Sequence, residues 1–190
     1  ISLSDKKVVF VELDLRKLKL SLYVGLNSSD GFTNYAISEF DDIDHLIKPL
    51  WFSENCYIIS SGPIPPNPSE LLLSEKLDKL IKNLKSKFDY IVIDSAPVGL
   101  VSDALLMEKY ADVILYVARQ RYTYKSQLSI LQELRNSDRF KHSYLVINDI
   151  DASEGVYGYG YGYGYGYGYG NYGQESMKKK GNILKRIFKS

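Results

Sequence analysis

Three acidic residues and one arginine have the types and spacing for phosphate or metal chemistry. Glu12 and Asp14 stand two apart in Phe10-Val11-Glu12-Leu13-Asp14-Leu15-Arg16-Lys17, and Asp94 closes the run Tyr90-Ile91-Val92-Ile93. Two carboxylates can hold Mg2+ or accept a hydroxyl proton, and a guanidinium can fork onto phosphate. Side chains alternate along a strand, so Glu12 and Asp14 are expected to point the same way. A carboxylate at the carboxyl end of a buried parallel strand sits where open α/β sheets bind ligands. Plainer roles remain open: a surface ion-pair cluster at Glu12–Lys17, and for Asp94 a cap on the helix starting near Ser102 or Asp103.

The elements that must position these residues are legible as runs. Lys7–Leu13, Cys56–Ser60, Tyr90–Ile93, Asp112–Ala118 and Ser143–Ile147 are apolar and rich in β-branched residues, as buried parallel strands are. Tyr90–Ile93 is expected to be buried on both faces. Helical spacing is read at Phe32–Phe40, Asp44–Leu50, Asp103–Tyr110 and Tyr122–Asn136, the last with Leu128, Leu131 and Leu134 inward. Another helix runs from Pro68 through about Ser86, burying Leu71, Leu72, Leu77, Leu80, Ile81 and Leu84. Before it, Gly62-Pro63-Ile64-Pro65-Pro66-Asn67-Pro68 is a rigid loop, because proline fixes φ and removes N–H donors. Alternating strands and helices predict an α/β fold, a doubly wound, mostly parallel sheet. Asn148-Asp149, after the last strand, is either plain turn chemistry or a receiver for a nucleotide base.

Composition narrows the classes. A net charge of +1 over 190 residues gives no reason to expect nucleic acid as partner. The single cysteine, Cys56, excludes an intrachain disulfide and fits a reducing cytosol. Two histidines, His45 and His142, are too few and too far apart for a metal cluster. No run of about 18 apolar residues is present. The first residue is Ile and a strand follows almost at once, so the chain is expected to be a piece of something longer.

Composition then breaks at Gly155. Tyr157, Tyr159, Tyr161, Tyr163, Tyr165, Tyr167 and Tyr169 alternate with glycine, and Tyr172 follows, so eight of the 17 tyrosines lie here. Glycine at every second position makes a strand entropically costly, and a disordered tail is expected. Such a tail suits self-association, a linker, or an array of phosphate acceptors, each phosphate adding roughly −1.5 to −2 charges. Met177–Ser190 carries six basic residues, with Ile183, Leu184, Ile187 and Phe188 at helical spacing. It suits either a solubilising tail or a short helix on an anionic membrane face.

Together these segments resemble the kinase domain of bacterial tyrosine kinases, the polysaccharide-biosynthesis autokinases, from about Lys7 to Tyr172. Phe10–Lys17 is similar to the family's Walker A′ motif, hydrophobics followed by D-x-D-x-R. Ile91–Pro97 is similar to its Walker B, and Gly62–Leu71 to its G-x-x-P-P-N-P-x-E-L loop. The tyrosine-rich stretch matches its terminal tyrosine cluster. The resemblance implies a P-loop NTPase-like fold related to MinD and ParA ATPases, with ATP and Mg2+ as cofactors. It assigns Asp94 and Asp14 to the metal, Glu12 or Asp14 to the accepting phenol as base, and Arg16 to phosphate or a neighbouring subunit. Asn148 and Asp149 then belong to the nucleotide's base. It divides the chain into a kinase domain (1–153), a phosphoacceptor tail (154–175) and a basic end (176–190). It further implies a homo-oligomeric ring that phosphorylates in trans and a membrane-spanning polysaccharide co-polymerase, fused upstream or separate. The place implied is the cytoplasmic face of the bacterial inner membrane.

Two features depart from the family. Glu12 stands where the family has Asp, moving the carboxylate by roughly one C–C bond, about 1.5 Å. No G-x-x-x-x-G-K-[ST] occurs; that loop cradles the phosphates and is expected before Ile1, so these residues alone are expected to bind ATP poorly. Two rival readings are a MinD/ParA-type ATPase switch at a membrane and a non-catalytic scaffold.

Overall fold

The computed structural model describes residues 4–26, 29–99, 102–137 and 139–151. They form two compact units that divide between Asp112 and Val113, each described by itself. The tyrosines from Tyr157 to Tyr172 and the basic end lie outside the described residues.

The first unit is an α/β layer structure. Its strands are β1 (Val8–Glu12), β2 (Lys48–Pro49), β3 (Cys56–Ile59) and β4 (Tyr90–Asp94), in the order β2-β3-β1-β4. β1 pairs in parallel with both β3 and β4, and β2 runs antiparallel to β3. The helices are α1 (Leu20–Tyr23), α2 (Phe32–Ile37), α3 (Pro68–Leu72), α4 (Glu75–Lys87) and α5 (Asp103–Leu106). Because strand side chains alternate, Val9 and Val11 face one side of the sheet and Phe10 the other. The first side packs on Leu72, Leu77, Leu80, Ile81 and Leu84 of α3 and α4. On the second, Phe10 and Ile58 meet Leu20, Val24 and Leu26 from α1 and its exit. Both faces are covered at β1 and β3.

Three details differ from the sequence reading. β4 is not buried on both faces: Ile91 and Ile93 pack on the core, whereas Tyr90 and Val92 are 46% and 39% exposed. It ends the strand order of this unit, so β1 covers only one of its edges. Asp44–Leu50 is a 3-10 turn followed by β2, whose Pro49 is tolerated because β2 is an edge strand. The helix from Pro68 breaks in two at Ser74, which is extended and sends its hydroxyl to the Leu71 carbonyl at 2.6 Å.

The second unit holds β5 (Ile114–Arg119), α6 (Lys125–Asn136) and β6 (Ser143–Asn148). β5 and β6 are parallel and in register from Ile114↔Ser143 to Arg119↔Asn148. The Tyr116 hydroxyl ties strand to helix by donating to the Gln127 carbonyl at 2.9 Å. On α6 Leu131 is buried while Leu128 and Leu134 are half-buried. Among the described residues no helix is long and apolar enough to cross a membrane.

Leu80 is fully buried at the centre of the first unit's core. Leu80→Ala is expected to lower unfolding free energy by about 2–5 kcal/mol. Urea denaturation would show this as a lower midpoint at unchanged slope.

Candidate functional site

The parallel pairing of β1 with β4 sets Glu12 beside Asp94, and the Leu13 N–H donates to the Asp94 carbonyl at 2.8 Å. Glu12, Asp14 and Asp94 therefore share the carboxyl end of the sheet. Their environments differ sharply.

Glu12 is fully buried. One carboxylate oxygen accepts the Lys19 and Ser21 N–H groups at 3.0 and 3.2 Å. The other accepts the Ser61 N–H at 3.2 Å and the Ser61 hydroxyl at 3.1 Å. Burial pushes its pKa up, but the donors from Ser61 and Ser21 outweigh burial and the net shift is down. The expectation that Glu12 stands open to a metal or phenol meets a carboxylate already filled by protein donors. β1 ends at Glu12, so strict alternation does not carry over to Asp14.

Asp14 sits in the turn that follows. Its Oδ1 accepts the Arg16 N–H at 3.2 Å and the Lys17 N–H at 3.1 Å. Asp94 occupies the exposed rim of β4. Its pKa is raised by desolvation first, then by the charges of Glu12 and Asp14, with Lys19 opposing. The rim thus holds more negative charge than its surroundings balance, which is the condition a cation relieves. Among the described residues no three His, Cys, Asp or Glu side chains form a metal cage. Mg2+ fits nonetheless, because it commonly takes one or two carboxylates and completes its shell with phosphate and water.

Arg16 has a protein partner. Its Nε donates to Asp103 Oδ2 at 2.7 Å and its Nη2 to Asp103 Oδ1 at 3.2 Å. The Ser69 hydroxyl donates to Asp103 Oδ1 at 2.8 Å and accepts from Arg16 Nη2 at 3.2 Å. The Arg16 hydrogen bond, working against burial, holds the Asp103 carboxyl below the usual aspartate range.

The proline loop reaches the site through two glycines. A side chain on Gly31 would fall on the Ser60 carbonyl and the Gly62 nitrogen, and Gly62 has φ +79°. Their closeness lets Phe32 and Thr33 N–H donate to the Ser60 and Ser61 carbonyls at 2.9 and 2.8 Å. Ser61 is thereby held against Glu12.

Asn148 and Asp149 belong to the second unit. Asn148 Oδ1 accepts the Asp149 N–H at 2.8 Å, and Asp149 accepts Arg119 Nε at 2.7 Å. An open cleft of about 420 Å³ at this end of β5 and β6 is lined by Arg119, Arg121, Tyr122, Asp149 and Asp151 among others. Its place at the carboxyl ends of parallel strands suits a ligand.

The sequence reading missed Ser61, Ser69 and Asp103. Ser69 and Asp103 carried only the signal of helix-start residues, and nothing linked them to Arg16.

Two outcomes follow from these charges. Glu12, with its folded pKa lowered, contributes stability that is complete above the ordinary glutamate range and lost as pH falls through the folded-state value. Glu12→Gln leaves donors facing an amide, so it is expected to cost about 1–3 kcal/mol at neutral pH. It should also flatten the loss of stability below about pH 4, measured by urea denaturation across pH. Asp94→Asn removes a repelled charge, so the melting temperature without metal should hold or rise. Added Mg2+ should raise the melting temperature of the unmodified chain and leave that of the variant unmoved.

No family model matches the chain. Tyrosine-protein kinase ptk of Acinetobacter johnsonii is 33% identical over 154 residues, covering 81% of this chain and 21% of that protein. The chain therefore spans about a fifth of that relative's length. The kinase domain of Escherichia coli tyrosine kinase ETK superposes with a TM-score of 0.68 at 27% identity, covering 84% of this chain and 62% of that one. The septum site-determining protein MinD of Pyrococcus horikoshii, complexed with Mg-ADP, shares the fold alone, with a TM-score of 0.54 at 22% identity over 76% of this chain and 57% of that one. By sequence and by fold, the chain is a relative of the bacterial tyrosine-protein kinases, on the P-loop NTPase-like fold of their kinase domains.

Proposed function

We propose that this chain belongs to an ATP-dependent protein-tyrosine autokinase that phosphorylates its tyrosine-rich segment in trans, and that these residues, without the phosphate-cradling loop, are inactive alone. The observation that carries this reading is the register that pairs Glu12 with Asp94, with Asp14 in the turn after β1 near enough for its charge to bear on Asp94. Its relatives among tyrosine-protein kinases and a neighbour that binds Mg-ADP support the class and the cofactor.

In this reading Asp94 and Asp14 would hold Mg2+, which when bound spreads the charge of the ATP phosphates. A phenol oxygen from a neighbouring copy attacks the γ-phosphorus as the bond to the ADP oxygen breaks. The phenol proton passes to Asp14. Glu12 acts from behind, fixing Ser61 and α1 around the site. Asn148 and its neighbour Asp149, which lines the cleft of the second unit, are the residues assigned to the nucleotide's base. Residues 1–153 serve as kinase domain, 154–175 as phosphoacceptor tail and 176–190 as a basic contact with the inner membrane surface. The working form is a ring of copies at the cytoplasmic face of that membrane, coupled to a membrane-spanning co-polymerase and regulating polysaccharide export.

The test is incubation of the full-length protein with γ-labelled ATP. Label on tyrosines 157–172 is expected. Free phosphate without protein label would replace this reading by an ATPase switch, which the MinD likeness favours. Asp14→Asn is expected to lower labelling about 100-fold or more. Replacing the eight tyrosines by Phe should abolish it while ATP binding, followed by calorimetry, stays unchanged.

A further inference from the structure

Asp103 is 2% exposed and Arg16 is 40% exposed on its side chain, so the carboxylate is buried and the guanidinium spans from it to the surface. A buried ion pair is a poor source of net stability, because desolvation offsets most of the attraction. What a two-point guanidinium–carboxylate pair supplies is direction, since both N–H···O bonds must align.

That alignment passes on to Asp14. Arg16 holds Asp103 with its side chain and donates to Asp14 Oδ1 with its own backbone N–H. Asp103 opens α5, on the chain that returns from Asp94. Ser69 lies in α3, directly after the proline loop, and touches both members of the pair. Three segments at the carboxyl end of the sheet are therefore fastened at one point: the turn after β1, the start of α3 and the start of α5.

We infer that Asp103 is a positioning residue for the phosphoryl transfer, acting through Arg16 to hold Asp14 against Asp94, with Ser69 tying the proline loop to the same setting. The inference rests on the nucleotide reading above. It places Arg16 in the support of the site, with its fork committed to Asp103 and not to a phosphate.

The test uses the full-length protein and the variants Asp103→Asn, Arg16→Lys and Ser69→Ala. Lys keeps the charge of Arg16 but cannot make the two-point pair. For Asp103→Asn and Arg16→Lys, kcat for tail labelling should fall about 10- to 100-fold, the cost of a misplaced reacting group. KM for ATP should stay within about threefold, since binding contacts remain. The Mg2+ concentration that half-saturates nucleotide binding should rise about tenfold, as for other residues that orient metal ligands. Ser69→Ala should fall between these variants and the unmodified protein. The double variant Asp103→Asn with Arg16→Lys should be no worse than the poorer of its two single variants, because both break one link.

Asp103→Asn with normal kcat and Mg2+ requirement would overturn the inference. So would additive losses in the double variant, which would give Arg16 a separate contact with phosphate. If Asp103→Asn fails to fold, Arg16→Lys and Ser69→Ala decide the matter by the same readings. Tail labelling absent from the unmodified protein would sink the kinase reading alone. The Mg2+ dependence of nucleotide binding would still report on Asp103.

Discussion

Parallel pairing of β1 with β4 imposes the constraint on which the rest of the first unit depends. Parallel strands present their carboxyl ends together, so the acids that close β1 and β4 must share one rim. Desolvation, and after it the charges of Glu12 and Asp14, raise the cost of ionising Asp94. The sheet cannot separate the charges without losing its register. It manages them by giving each a different surrounding: Glu12, still charged, is satisfied by donors, Asp14 is half-served by its own turn, and Asp94 bears the cost of their charges.

The loops follow from that division. Glu12 needs donors, and the proline loop brings Ser61 to supply two of them. The loop can come that close only because Gly31 and Gly62 have no side chains. A motif that reads as a rigid connection is therefore also the inner wall of an acidic site. Just past the loop, at the start of α3, Ser69 joins the Arg16–Asp103 pair.

Much of this fold was legible in the chain. Runs such as Val8–Val11 and Ile91–Ile93 have one plausible fate, and the stripe Leu77, Leu80, Ile81 and Leu84 points to a single face. β2 was not legible, because two residues with a proline carry no strand signal. The break at Ser74 was hidden because Leu71 and Leu72 continue the apolar pattern of α4. The acids were visible as candidates, but their environments were not. A glutamate is rarely buried, so nothing local announced that Glu12 would be enclosed. Arg16 and Asp103 are 87 residues apart in sequence, and only the folded sheet end makes them partners.

The hairpin joining β2 to β3 carries an optical consequence. Trp51, the lone tryptophan of the chain, stands 85% exposed with its ring edge-on to Phe52 at 5.6 Å. Its indole already meets water in the native state, so its emission colour barely changes when the core melts. Tryptophan emission from this protein reports on the tip of one hairpin, and a flat tryptophan signal during denaturation would say nothing about the sheet beneath it.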